Sequence, residues 1–391
     1  MSDQEQTTPV PNVEDLFALG GGRVSRGLER LQLTRGTRLR AGRVAVVLAA
    51  VTWLPLLILA AIEGVAWGGA VQVPLVRDFL PYGQLLVAIP VLVLGQLTVA
   101  RYLIRAVTEL RTSEVLDPKD TPILDAVLTK TVKRWRGGRV DSVLVVLTCA
   151  ATVFSFWGAK EWLTGGWQIA GDRMTLAGWW YLVVSLPVMR FLALRWIWRL
   201  ALWAWVLWRV SRLELHPRPA HPDRAGGLAF LGGTQAAFGV LVFAFGVQLS
   251  CLAADAVHFR DAELMAFRGE IVAFVVISVV GLLLPLLVFA LKMVLAREEY
   301  LLFLSGSAHR GAGDLTRKLR VAQNGELPSN AISGLTDFGV LYENARLMRP
   351  VPIEMQHVLG LVLAAVAPFL PLVFLVMPAR EVLRTLARLL V

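Results

Sequence analysis

The feature that most constrains this chain is a series of apolar stretches, nearly free of charge and each close in length to one membrane crossing. A helix rises about 1.5 Å per residue and the hydrocarbon layer is about 30 Å thick, so about 20 such residues span it. Charged residues make up only 17% of the 391, against about 25% in an average soluble domain. Because a backbone in hydrocarbon must satisfy its own amides, these stretches predict spanning α-helices.

We therefore predict an all-α fold, a polytopic transmembrane helical bundle with about seven spans. The seventh is interrupted by Pro368 and Pro371. The expected spans are residues 44–62, 82–104, 142–159, 176–210, 228–254, 270–296 and 357–378. The fourth is about 35 residues long, which predicts one long helix that spans and then emerges or runs along the interface. Residues 1–43 are expected to be a basic, partly disordered N-terminal segment preceding a membrane domain over 44–391.

Positive charge is distributed unevenly, and this predicts an orientation. The net charge is +10. Four segments are basic, whereas the three loops between them carry one or two cations each: the basic segments are 1–43, 105–141, 209–224 and 297–356. The positive-inside rule places these four in the cytoplasm and favours membrane topology over nucleic-acid binding as the reason for the charge. Segments 105–141 and 297–356 are expected to be cytoplasmic and helical. The last apolar stretch leaves open a full crossing or a re-entrant hairpin.

Two polar groups of residues inside apolar stretches are candidates for a ligand site or pathway. Arg190 and Arg195 lie in the fourth span, where a charge at mid-membrane is costly and often functional. Snorkelling to the interface is the alternative. If Arg190 pairs with an internal acid, the candidate partners are Glu63, Asp255 and Glu270. Gln96 and Gln235 could also line a pathway, although hydrogen bonding between helices is their commoner role.

The most motif-like stretch is HPRPAHPDRAGG, residues 216–227. His216, His221 and Asp223 could suggest a metal site, but the spacing guarantees no convergent ligands. The structural interpretation is stronger: the sequence HPD forms a turn, Asp223 caps the next helix and the glycines allow close packing. The motif residues are His221, Pro222, Asp223, Arg224, Gly226 and Gly227. We expect no metal and no cofactor.

The segment LHPRPAHPDRAGGLAFLGG at 215–233 resembles a signature of a family of uncharacterised bacterial integral membrane proteins with an HPDRAGGL motif. The resemblance extends to SLPVMRF at 185–191, to the arginine- and tryptophan-rich run at 191–215 and to APFLPLVFLVMP at 367–378. Ala229 departs from the glycine that this family prefers at that position. The resemblance implies a bacterial inner-membrane location and brings no activity or catalytic residues.

Three functions remain open from the sequence. The first is a transport-like, channel-like or small-ligand-binding bundle. The second is a membrane scaffold or signalling protein that docks a cytoplasmic protein, and the third is a membrane-embedded enzyme. The chain contains no Ser-His-Asp arrangement, no HExxH and no Walker motif, so no catalytic residues are assigned. Cys149 and Cys251 lie in apolar stretches and predict no disulfide framework. The lipid bilayer is the expected partner, a homo-oligomer is left open, and nucleic acid is not expected.

Overall fold

The computed structural model describes residues 38–67, 71–113, 115–135, 138–163, 166–171, 173–321 and 329–372. Within these ranges the helices run as follows: α1 Arg38–Ile62, α2 Phe79–Thr112, α3 Thr121–Trp135, α4 Gly138–Leu163, α5 Leu176–Val210, α6 Phe230–Ala237, α7 Gly239–Phe259, α8 Arg268–Leu283, α9 Ala290–Val321, α10 Ser329–Arg346 and α11 Met355–Val366. A two-stranded antiparallel hairpin pairs β1 Ile169–Ala170 with β2 Arg173–Met174. Most of the predicted N-terminal segment and the residues after 372 lie outside the described ranges.

Seven helical segments of the described chain are long and apolar enough to cross a membrane. They are Ala41–Ile62, Phe79–Thr112, Gly138–Ser155, Leu176–Val210, Phe230–Arg260, Leu264–His309 and Met355–Leu372. The predicted all-α bundle with about seven spans is confirmed, and the chain is a multi-pass membrane protein. The long helix expected over 176–210 is present with those bounds.

Several helices extend beyond the predicted spans, because hydropathy marks the length in lipid and not the length of the helix. The second span begins at Phe79 and continues to Thr112, and the sixth runs from Leu264 to His309. The predicted inner segment 105–141 is therefore not one unit. It contains the end of α2, all of α3 and the start of α4. Segment 297–356 is likewise shared between the end of α9, α10 and the start of α11.

Two of the long helices contain a wide π-helical turn shortly before a proline. The turns are Tyr82–Ala88 in α2 and Tyr181–Ser185 in α5, followed by Pro90 and Pro187. Proline has no N–H to donate to the preceding turn, so the helix must rearrange its bonding locally. The Tyr181 hydroxyl donates to Oε1 of Gln84 at 2.6 Å and so joins the two π-turns.

The loops collect at two opposite ends of the bundle. At the first, which we call the Asp78 end, Trp167 N donates to the Val73 carbonyl at 2.9 Å, and Asp78 lies in the same loop layer. At the second, the Asp223 end, His216 N donates to the Val115 carbonyl at 2.7 Å. Each of these hydrogen bonds joins two loops at the same end of the bundle. This is expected when successive spans run in opposite directions.

Glycines allow the last span to pack closely on the fifth. A Cβ on Gly232 would lie 2.9 Å from the Pro352 carbonyl oxygen, and one on Gly246 would lie 2.8 Å from Cγ of Pro368. Gly239 lies between them and faces Ala364 at 3.3 Å. Small residues at such spacing let two helix backbones approach within a membrane. This packing brings α11 beside α6 and closes one side of the Asp223 end.

Candidate functional site

The motif at 216–227 lies at the Asp223 end, in the loop that joins α5 to α6. The Asp223 carboxylate accepts backbone N–H groups from three residues of its own loop: Oδ1 from Ala225 at 2.8 Å and Gly227 at 3.1 Å, and Oδ2 from Ala229 at 3.2 Å. Burial alone would raise the pKa of Asp223, but these backbone bonds favour the ionised form and hold its pKa below the usual range. Asp223 therefore organises the whole loop. Its carboxylate accepts the N–H of Ala229, the residue immediately before α6. Asp223 therefore contacts the start of the helix from six positions earlier in the chain and does not itself adjoin the helix.

Positive φ angles explain the two glycines of the motif. Gly226 has φ +62° and Gly227 has φ +87°, a region that residues with a Cβ rarely adopt. A Cβ on Gly226 would also lie 2.8 Å from Cβ of Pro217 and 2.9 Å from Cε of Met348. Arg224 is itself left-handed at φ +52°. The loop is thus a tight turn in close contact with the segment that leads to the last span.

Arg349 fastens the motif loop to that segment, a role that no sequence pattern indicated. Its Nη2 donates to the Asp223 carbonyl at 2.8 Å and its Nη1 to the Ile353 carbonyl at 2.6 Å. Its backbone N–H donates to the Arg224 carbonyl at 2.8 Å. One arginine therefore joins residues that are more than a hundred positions apart in the chain.

A cavity of about 680 Å³ opens between this loop and the ends of α2, α6 and α11. Its arginine, histidine and carboxylate lining residues are Arg105, Glu109, Arg218, His221, Asp223, Glu354 and His357. Nδ1 of His221 lies 2.8 Å from Oδ1 of Asp223, and Nε of Arg105 lies 3.7 Å from Oε1 of Glu109. The volume falls within the range of about 300–1,000 Å³ that is usual for small-molecule sites. The motif that we interpreted as structural thus also forms a wall of a polar cavity.

Two further lining residues are Gly233, which has no side chain, and His357, which has a ring nitrogen without a hydrogen-bond partner. Gly233 faces Tyr102 and His357, and a Cβ there would lie 3.4 Å from ring atoms of both. Nδ1 of His357 is shielded from solvent and has no hydrogen-bond partner. A buried polar atom without a partner is rare in proteins, and this one lies on the Gly232 side of the ring, where a Cβ would be 3.1 Å away. Sequence reasoning missed His357, because a single histidine at the start of an apolar stretch carries no motif.

The arginines of the fourth span lie away from this cavity and have partners of their own. Arg195 Nη1 forms an ion pair with Oδ1 of Asp141 at 2.8 Å. Arg190 Nη2 donates to the Ser155 hydroxyl at 2.6 Å. The acids that we considered as partners of Arg190 are engaged elsewhere or exposed. Glu63 accepts from Leu176 N at 2.9 Å.

The other polar residues that the sequence singled out are the acids Asp255 and Glu270 and the glutamines Gln96 and Gln235. Asp255 accepts from Phe79 N at 2.9 Å, and Glu270 is exposed. Gln235 Nε2 donates to the Leu282 carbonyl at 2.5 Å, three residues before Pro285, which has no N–H for that turn. Gln96 is buried and its Oε1 has no partner. Gln235 therefore joins two helices and contributes no atom to the lining of the Asp223 cavity.

No group of three or more histidine, cysteine, aspartate or glutamate side chains comes close enough to hold a metal ion within the described ranges. Comparisons of this chain with family models, with curated proteins and with solved structures give no match. The geometry of the Asp223 cavity and the charge of its lining are therefore the features that bear on function.

Proposed function

We propose that this protein binds a small polar solute in the cavity at the Asp223 end, as part of a transport-like bundle. The observation that carries the proposal is the cavity itself, about 680 Å³ in volume and bordered by three helices and the motif loop. A multi-pass bundle that encloses a polar space at one membrane surface has the geometry of a solute site.

The walls indicate the chemistry of the solute. Arg105 and Arg218 bring positive charge to the cavity, and Glu109 and Glu354 bring negative charge. His357 adds an imidazole to the lining. A lining with charges of both signs favours a solute that itself carries both, such as a zwitterion, over a simple anion or an apolar molecule.

We further propose that the Asp223 end faces the cytoplasm of a bacterium and that the protein is in the inner membrane. The charge distribution supports this orientation. Cations crowd α3 and the motif loop, whereas the described loops of the Asp78 end carry few of them. The likeness of residues 215–233 to a bacterial membrane-protein family supports the location. The N-terminus then lies in the cytoplasm, on the same side as the cavity.

The test is ligand-induced stabilisation of the purified full-length protein in detergent. We expect one or more zwitterions from a panel of amino acids, small peptides and betaines to raise the melting temperature in a saturable way. Gly233→Leu places a larger side chain toward Tyr102 and His357 and should abolish the response. Gly281→Leu is the matched control, since nothing lies within 4 Å of a Cβ at Gly281.

A stabilising solute should also exchange across liposomes containing the wild type and not across those containing Gly233→Leu. If no member of the panel shifts the wild type, or if Gly233→Leu and wild type respond alike, the cavity is not the solute site. Binding of the solute without exchange across the liposome membrane would support the cavity as a binding site and would contradict transport.

One observation favours the alternative of a docking scaffold. Helix α10 at the Asp223 end exposes Val340, Leu341 and Tyr342, which are 55%, 39% and 39% accessible. Exposed apolar clusters of this kind occur at protein interfaces. Loss of a reproducible cytoplasmic partner in a Val340→Ser, Leu341→Ser variant that keeps its melting temperature would support this alternative.

A further inference from the structure

The wall that α2 contributes to the Asp223 cavity is an exposed face of that helix. Tyr102, Arg105 and Glu109 line the cavity and follow one another at helical spacing. Tyr102 is 42% exposed, and the side chains of Arg105 and Glu109 are 72% and 43% exposed. No helix of the described ranges therefore covers this face, and the cavity is open along the side of the bundle as well as toward the loops.

Helices α6 and α7 separate α2 from α11 and form a floor between them. Gly233 at the cavity faces α2 and α11 at once. Further along the floor, Gly239 packs against Ala364 of α11, and the next residue, Val240, packs against Gly95 of α2. A groove between α2 and α11 thus continues from the cavity along the bundle.

The two rims of this groove become apolar as they leave the cavity. On α2, Leu94 lies three turns before Arg105 on the same face and is 43% exposed. On α11, Leu359 and Leu363 follow Gln356, a lining residue, on the exposed face and are 56% and 59% exposed. The polar cavity therefore continues directly into an apolar, uncovered surface.

The change from polar to apolar occurs at the depth of the lipid head groups. The seventh membrane-spanning segment begins at Met355, so Gln356 and His357 lie in its first turn. On α2, the lining extends from Tyr102, inside the apolar stretch 82–104, to Ser113 after the end of the helix. Polar groups at this level meet lipid head groups, and the apolar rims beyond them meet acyl chains.

We propose that the solute of this cavity is a membrane lipid with a zwitterionic head group, of the phosphatidylethanolamine class, which enters from the leaflet on the Asp223 side. The inference rests on the proposed function, because it names the solute of the same cavity. The acyl chains then lie in the groove between Leu94 on α2 and Leu359 on α11. A free zwitterion would use the polar cavity and leave this groove unused.

The head group fits the charges of the lining. Its phosphate is an acceptor for charge-assisted hydrogen bonds from arginine, and its ammonium is a donor to carboxylates. The lining contains two arginines, Arg105 and Arg218, and three carboxylates, of Glu109, Asp223 and Glu354. A lipid with a phosphate and no ammonium would leave the carboxylates without a new partner, so the zwitterionic head group is favoured over an anionic one.

The experiment compares a lipid with its own head group, on the purified full-length protein in a sugar-based detergent. Dihexanoylphosphatidylethanolamine and glycerophosphoethanolamine share the head group, and only the first has acyl chains. We expect both to raise the melting temperature in a saturable way, with a half-maximal concentration at least about tenfold lower for the lipid. Dihexanoylphosphatidylglycerol, which has no ammonium, should raise it much less at the same concentration.

Leu359→Asn tests the groove. It should raise the half-maximal concentration of the lipid about tenfold and leave that of glycerophosphoethanolamine unchanged. Leu295→Asn on α9 is the matched control, because Leu295 is 58% exposed and α9 does not border the cavity. Leu363→Asn, one turn further along the same rim, replaces Leu359→Asn if that variant does not fold.

Equal half-maximal concentrations for the lipid and its head group in the wild type would overturn the lipid assignment and leave the cavity as a site for a free zwitterion. A response to amino acids or betaines but to neither of these two compounds would do the same and would keep the proposed function. Equal weakening of lipid binding in Leu359→Asn and Leu295→Asn would overturn the groove. An equal response to phosphatidylglycerol would overturn the zwitterionic head group.

Discussion

The two ends of the bundle both use a carboxylate that accepts backbone N–H groups, but they place it in different surroundings. At the Asp78 end, Asp78 is 8% exposed, caps the start of α2 through Leu80 N at 3.0 Å and accepts the indole N–H of Trp167 at 2.7 Å. At the Asp223 end, Asp223 lies at the wall of an open polar cavity. The first arrangement closes its end of the bundle, whereas the second holds a loop in shape while leaving space beside it.

The difference extends to protonation. Burial raises the pKa of Asp78, although hydrogen bonds from Trp167 and Leu80 partly offset it. The backbone bonds of Asp223 outweigh its smaller burial, and its pKa is lowered. The same residue type thus has its pKa raised at one end and lowered at the other, because Asp78 is buried more deeply than Asp223 while both carboxyl groups take part in hydrogen bonds.

The largest effect is expected from the arginine that fastens the open end. Arg349→Ala removes two charge-assisted hydrogen bonds, to the Asp223 and Ile353 carbonyls, and leaves both acceptors partly buried. We expect a loss of about 3 kcal/mol in the free energy of unfolding, measured by denaturant titration in micelles. Arg346→Ala, an exposed neighbour on α10, is the control and should change little. Equal losses in both variants would show that Arg349 does not hold the loop.

Gly226→Ala should destabilise the same loop by a smaller amount, about 2 kcal/mol. The alanine must adopt φ +62°, and its Cβ lies against Pro217 and Met348. Backbone strain and crowding therefore both destabilise the loop. Gly281→Ala has open space around it and should be neutral or slightly stabilising. Thermal unfolding of the two variants side by side measures the difference, and a stable Gly226→Ala would mean that the loop adopts another conformation.

At the closed end, Trp167→Phe keeps most of the buried ring and removes the hydrogen bond to Asp78. The expected cost is about 1.5 kcal/mol. Trp179→Phe, at a residue that is 52% exposed, is the control and should cost much less. The comparison between the ends would fail if Trp167→Phe were as mild as its control, since the closed end would then not depend on this contact.

The smallest effects concern pH and should have opposite signs at the two ends. The folded-state pKa of Asp78 is raised above 3.8, so its contribution is present at low pH and is lost as pH rises through the folded value. That of Asp223 is lowered below 3.8, so its contribution is present above 3.8 and is lost as pH falls. In a profile of the free energy of unfolding against pH, Asp78→Asn should reduce the loss of stability at alkaline pH. Asp223→Asn should reduce the loss of stability at acid pH. Identical profiles for the two variants would contradict this assignment.

The sequence predicted the architecture well and the cavity poorly, for one physical reason. A spanning helix is selected by the local cost of placing its own residues in lipid, so hydropathy alone located Leu176–Val210. The cavity depends on Tyr102, Asp223 and His357 meeting across the bundle, and no local pattern encodes that meeting. The motif around Asp223 was found because its glycines and prolines mark a turn.

The pairing partners could not be found in the same way. Arg195 joins Asp141, 54 positions away, and Gln235 joins the Leu282 carbonyl, 47 positions away. Each residue type predicted a polar contact inside the bundle, but the partner depends on which helices are adjacent. Arg349 is the clearest example, because its sequence position beside Pro350 gives no indication that it holds Asp223 and Ile353 together.

The most direct test of the account is the sidedness of its two ends in intact cells. Cys149 and Cys251 are first replaced by serine, and single cysteines are then introduced as Glu109→Cys in the Asp223 cavity and Glu263→Cys at the exposed opposite end. A membrane-impermeant thiol reagent should label Glu263→Cys in intact bacteria and Glu109→Cys only after the inner membrane is opened. Labelling of both cysteines from the same side would contradict the alternating bundle and the proposed cytoplasmic side of the cavity together.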